Sequence, residues 1–205
     1  MVLFKFLVLA LTGTTPALAA TPVGGGDWKS VDPDVNIHEC AGGKIDGNNY
    51  ILPSEPNGST DGSGCSNGAL RAESRLKNDY DSGVHQFGGK FKITSYGGDR
   101  ISLKQTFHGD EGAWFMLAVE NTGRLYSVQG GETIDEDVAQ VGKTVQINTV
   151  HDIGAEKITV YINGDEKYTT ESPGGSFYDK YGAYATSSGS GPIEVTWSDV
   201  AFWTR

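Results

Sequence analysis

Short runs of β-branched and aromatic residues recur along the chain between clusters of Gly, Asn, Asp and Ser, and no amphipathic helical period of convincing length interrupts them. The runs cover Gln86 to Thr94, Arg100 to Phe107, Ala113 to Glu120, Arg124 to Val128, Thr144 to His151, Lys157 to Asn163 and Ile193 to Phe202. Strands at this spacing with no helices between them must pair antiparallel, which predicts an all-β chain folded as a two-sheet sandwich or a barrel. The clearest turn is Asn163-Gly164, which follows the alternating residues Ile158, Val160 and Ile162 and reads as a tight hairpin. Glycine, at 29 of 205 residues, supplies the many tight turns such a fold needs. Roughly 185 residues exceed an immunoglobulin-like module, so a larger antiparallel jelly roll with a concave groove is expected.

Met1 to Ala19 reads as an export signal, with Lys5 near the start, the apolar run Phe6 to Leu11, and Ala17-Leu18-Ala19 as a small-x-small cleavage site. The apolar run is too short to span a bilayer, and no later stretch is long enough to do so. Residues 20–205 are then expected to form a single secreted, extracellular domain, acting as a monomer. In an oxidising compartment Cys40 and Cys65, the only two cysteines, are expected to pair. Closing a loop of roughly 25 residues rich in Gly, Pro, Asn and Ser contributes about 3.5 kcal/mol in the chain-entropy picture. The same loop carries Asn57-Gly58-Ser59, a glycosylation sequon. Thr21 to Asp27, with Gly24-Gly25-Gly26, reads as a loose leader.

Sixteen basic and 26 acidic residues give a formal net charge of −10, with no basic run, which argues against a nucleic-acid or membrane partner. No HExxH, CxxC or GxSxG is present, and His38, His85, His108 and His151 lack metal-ligand spacing, so zinc proteases and serine hydrolases drop out. Acidic loops would suit calcium, but no D-x-D-x-D-G loop appears, so no metal or cofactor is expected.

Three segments carry charged or polar groups on one strand face. In Arg71-Ala72-Glu73-Ser74-Arg75, alternation sets Arg71, Glu73 and Arg75 opposite the small Ala72 and Ser74. Solvated ion pairs explain such a face about as well as a binding site does. In Tyr178-Asp179-Lys180-Tyr181-Gly182-Ala183-Tyr184, the residues Tyr178, Lys180, Gly182 and Tyr184 share a face, and Gly182 leaves a gap in which a ligand would lie against the backbone. Taken alone, these tyrosines are ordinary strand aromatics. The third segment is Lys104-Gln105-Thr106-Phe107-His108, where strict alternation sets Gln105 with Ile101 and Leu103, so a place in a groove would require a bulge.

The order of the three motifs, R-x-E-x-R, then Q-x-F, then K-x-G-x-Y, resembles the alginate-lyase-like, concanavalin-like jelly-roll polysaccharide lyases, the group of alginate lyases and more distant glucuronan lyases. The spacers QFGGKFKI, WFMLAVENTGRLY, KITVYINGD and VTWSDVAF extend the resemblance from about Arg71 to the C-terminus. It implies β-elimination in a uronic-acid polymer. Arg71 and Arg75 would hold substrate carboxylates, Gln105 would neutralise the carboxylate beside C5, and Tyr184 would move protons, with Glu73, Lys180, Tyr178 and Phe107 contacting substrate.

The chemistry agrees with these roles, because a C5 proton is weakly acidic until its carboxylate is hydrogen-bonded and neutralised. An acidic protein can act on an acidic polymer only through a local cationic groove. Most alginate lyases of the group read Q-I-H; here Phe107 stands at the His position and His108 points the other way. In mannuronate and glucuronate H5 and O4 lie on the same side, so one tyrosine can act as base and then acid; a site without the His therefore leans toward these linkages. His85 is a second-tier replacement for the missing imidazole. The competing reading is a non-catalytic, lectin-like carbohydrate-binding module, with Trp114 and the tyrosines as stacking platforms. A glycoside hydrolase would need two inward carboxylates, and Glu73 has no evident partner.

Overall fold

A computed structural model describes residues 20–65, 67–109, 111–186 and 189–205. The expected export signal, residues 1–19, lies outside the described residues. Among the described residues fifteen strands follow in chain order: β1 (Lys29–Val31), β2 (Val35–Cys40), β3 (Lys44–Asp46), β4 (Asn49–Leu52), β5 (Arg71–Leu76), β6 (Val84–Tyr96), β7 (Arg100–His108), β8 (Gly112–Glu120), β9 (Leu125–Ser127), β10 (Thr133–Asp135), β11 (Thr144–Asp152), β12 (Lys157–Ile162), β13 (Asp165–Glu171), β14 (Phe177–Tyr184) and β15 (Ile193–Thr204). They form two antiparallel sheets stacked as a sandwich. One runs β13-β12-β11-β6-β15-β4-β3, with β1 also on β15; the other runs β10-β9-β8-β7-β14-β5-β2.

Apolar alternation drives the stacking. Phe87, Phe91 and Ile93 of β6 and Val195 and Trp197 of β15 meet Ile101, Leu103, Phe115 and Leu117 from the facing sheet, all buried. Removing such side chains from water is the main favourable term in the fold. The Tyr50 hydroxyl and Ser74 Oγ lie 2.8 Å apart across the two sheets, marking Ala72 and Ser74 as the inward face of β5. The Asn163-Gly164 turn forms as expected, with both residues at positive φ (52° and 91°) between the paired Ile162 and Asp165.

Two expectations are corrected. The stretch between Cys40 and Cys65 is more than a loop, because β3 and β4 form a hairpin there and β4 pairs with β15 from Ile193 to Thr196. A three- or four-residue strand among turn residues carries too little periodicity to be read alone. The segment from Thr21 is also tied down: the Gln86 side chain bonds both Val23 N–H and Val23 C=O, and Asn148 Nδ2 donates to Thr21 C=O. Cys40 and Cys65 are disulfide-bonded, with Cα atoms 5.4 Å apart.

Candidate functional site

The face of the β2-β5-β14-β7-β8 sheet turned away from the core carries a groove of about 770 Å³. Register explains which side chains meet there. Lys180 pairs with Arg75 on one side and Gln105 on the other, while Tyr184 pairs with Arg71, and directly paired residues project to the same face. Gln105 reaches this face because the β7 register shifts between Ser102 and Lys104 against β8, and between Tyr181 and Tyr184 against β14. Ile101 and Leu103 therefore stay in the core while Gln105 turns outward, as a bulge allows.

Arg71, Gln105, Phe107, Tyr178, Lys180 and Tyr184 line the groove. Glu73 is buried beneath them. One of its oxygens takes the Arg71 guanidinium and the other the Gln105 amide. That leaves Gln105 with a second N–H donor. The Nε of Arg71 is buried without a hydrogen-bond partner among the described residues. The guanidinium of Arg71 lies 4.0 Å from the Tyr184 ring centroid, and that of Arg75 lies 4.1 Å from that of Tyr178 while pairing with Asp79 at 2.6 Å. The Lys180 ammonium lies 3.9 Å from the Phe107 ring centroid, and Phe107 stacks on Tyr178 at 5.2 Å. Burial, assisted by Arg71 and Arg75 and opposed by Glu73, pulls Lys180 down to about 8.

The groove-lining role expected of Gly182 is corrected. It sits at φ +139°, and a Cβ there would lie 2.3 Å from the Ala72 carbonyl oxygen and 2.7 Å from Tyr50 Cδ1. It is glycine so that β14 can close against β5 and β4. His85 is not brought to the groove. It lies on β6 of the other sheet, stacked on Tyr80 at 3.9 Å, with Nε2 2.8 Å from the Ser82 carbonyl oxygen. Trp114, 40% exposed, is likewise apart; it donates Nε1–H to the Glu171 carbonyl and borders a separate hollow. His108 stacks on Phe177 at 4.7 Å, off the groove face as expected.

Sequence reasoning missed His38 and Asn67. His38 pairs with Glu73 across β2 and β5, so it shares the site's face, but it is buried against Gly64, with Nε2 3.1 Å from Ser63 Oγ. Burial, then Lys180, Arg71 and Arg75, holds its imidazole down at about 4, so it is neutral above that pH. The alternation Asn36, His38, Cys40 was readable, but nothing local says that β2 lies beside β5. Asn67 sits in an irregular segment with no period to signal it. Among the described residues no group of three or more His, Cys, Asp or Glu side chains is arranged to hold a metal ion.

A site built from a buried arginine, a lysine, an amide and a phenol can receive a carboxylate and exchange a proton beside it. Solved structures carry the same arrangement of sheets. A marine alginate lyase of Zobellia galactanivorans superposes with a TM-score of 0.62 at 14% identity, covering 87% of this chain and 95% of that one. The fold is that of the alginate lyases. An alginate lyase of Pseudomonas aeruginosa superposes with a TM-score of 0.61 at 14% identity over 77% of this chain and 82% of its own. By sequence, the chain is 30% identical over 136 residues to a citrate-binding protein of Hevea brasiliensis. The match covers 65% of this chain and only 56% of that protein's length. No family model matches the chain.

Proposed function

We propose that this chain is an exported polysaccharide lyase that cleaves mannuronate- or glucuronate-type linkages of a uronic-acid polymer by β-elimination. The observation that carries the reading is the convergence of Arg71, Gln105, Lys180 and Tyr184 on one groove. A substrate carboxylate there would meet Arg71 and the free Gln105 N–H, with the Lys180 charge beside it. Neutralising it lowers the cost of negative charge as the C5–H bond breaks. Tyr184, acting as the phenolate after its hydroxyl proton has passed to solvent and with the Arg71 cation over its ring, accepts the C5 proton and becomes the phenol. The C5 electron pair becomes the C4–C5 double bond, the C4–O4 bond breaks, and Tyr184 returns the proton to the departing O4. Glu73 holds Arg71 and Gln105 in place from below. Each of these steps is assigned to side chains of this chain. Exposed Asn57 is the proposed glycan acceptor.

A second reading is favoured by the relative in Hevea brasiliensis: the same donors would hold a small polycarboxylate such as citrate, or a uronate chain, without turnover. Incubation with glucuronan, polymannuronate, polyguluronate and a neutral glucan separates the two. The lyase reading expects ultraviolet absorbance from unsaturated uronate ends with one of the first two polymers. Binding of citrate or of a uronan with no such product would establish the second reading, and saturated fragments would indicate hydrolysis.

A further inference from the structure

Tyr184 is held at two points. The Arg71 guanidinium lies over its ring, and the Asn67 side-chain amide donates Nδ2–H to its hydroxyl oxygen at 2.8 Å. A guanidinium on a ring face resists tilting but leaves the oxygen end able to slide. The second contact fixes that end. Because the amide is a donor, the phenol's own hydrogen must point elsewhere, and the open direction is the groove that Asn67 and Tyr184 both line. The same amide can go on donating after the phenol has given up its proton.

Asn67 is not on a strand, so its placement needs a cause. Its Oδ1 accepts the Ala69 N–H at 3.3 Å, and Gly68 N–H donates to the Cys65 carbonyl at 3.0 Å. Cys65 is bonded to Cys40, which pairs in register with Arg71. The disulfide therefore ties the segment carrying Asn67 to the strand position that carries the other Tyr184 contact. A segment rich in Gly and Ser has too little apolar area to hold such a position by packing.

We propose that Asn67 is a positioning residue for Tyr184, and that the Cys40–Cys65 disulfide keeps it in place, so that breaking the disulfide slows turnover without releasing the polymer. This rests on the lyase reading above. Asn67→Ala is expected to lower kcat roughly 10- to 100-fold while KM stays within about twofold, the scale of a misplaced reacting group. Asn67→Asp keeps the shape but cannot donate at neutral pH, and should lose as much. The folded Cys40→Ser/Cys65→Ser variant should show the same split, and adding Asn67→Ala to it should cost little more.

A readout without turnover accompanies these: the Cζ resonance of Tyr184 in tyrosine-labelled protein, assigned by its loss in Tyr184→Phe, should shift in Asn67→Ala and in the disulfide-free variant. If the wild-type protein yields no unsaturated product, the lyase reading fails and this resonance alone decides the role of Asn67. Unchanged kcat and an unmoved resonance in Asn67→Ala, or full activity in Asn67→Asp, would overturn the positioning role. A disulfide-free chain that does not fold would overturn the second half, since the bridge would then hold the fold and not the loop.

Discussion

Lys104 Nζ lies 2.6 Å from Asp179 Oδ1, and both side chains are sealed between the two sheets. The pair bridges β7 and β14 on the core side, directly behind Gln105 and Lys180, which pair across the same two strands on the groove side. Thr106 Oγ1 and Asn78 Nδ2 complete the carboxylate's hydrogen bonds at 3.1 Å each. Burial alone would raise Asp179, but Lys104 outweighs it and holds the carboxyl below its ordinary range.

Lys104→Met leaves the Asp179 carboxylate buried and unpaired, so it should cost about 3–5 kcal/mol of stability, read from the denaturant midpoint. Lys104→Met/Asp179→Leu should recover most of that loss, because an apolar pair of similar volume fills the same space. A single variant as stable as the wild type would show that the pair is not holding the two strands.

Carboxylate binding should depend on Lys180. Its ammonium, at about 8, loses its charge as pH rises through that value, so affinity for a uronate oligomer should fall between about pH 7 and 9 by titration calorimetry. Lys180→Met should bind more weakly and lose this dependence. Stability runs the other way. Between about 8 and the ordinary 10.5 the unfolded chain keeps a proton there that the folded chain has lost, so this group makes stability rise with pH across that window.

Acid should destabilise the protein through two buried imidazoles. Burial holds both His38 and His151 at about 4, against an ordinary 6.5. As pH falls below 6.5 the unfolded chain gains protons that the folded chain refuses, so stability is lost progressively down to about pH 4. His151→Gln should flatten part of that slope in denaturation curves taken across the range.

Gly182→Ala should destabilise by about 1–3 kcal/mol or more, because the new Cβ meets the Ala72 carbonyl in a backbone region that suits glycine. A lower thermal midpoint with unchanged affinity for a uronate oligomer would fit a closure role. Lost affinity at unchanged stability would restore the ligand-gap reading.

Much of the fold was legible because long strands such as β7, β11 and β15 carry their own alternation and the turn at Asn163-Gly164 its own chemistry. The outward face of β5 was legible from the same alternation, and the cysteine pair because Cys40 and Cys65 are the only two cysteines. The register shift that turns Gln105 outward was not, since a bulge depends on neighbouring strands. His38 and Asn67 were missed because their relevance comes from contacts across 35 and 117 positions of chain, with Glu73 and Tyr184. His85 has the residue type the chemistry would use, but its strand belongs to the other sheet.

In the proposed reaction one phenol shuttles the proton in a cationic groove. Tyr184→Phe removes only the hydroxyl, so with polymannuronate or glucuronan it should keep the wild-type Kd within a few-fold while the unsaturated-end absorbance falls at least roughly 100-fold, the scale of general acid–base catalysis. Equal rates for Tyr184→Phe and the wild type would contradict it.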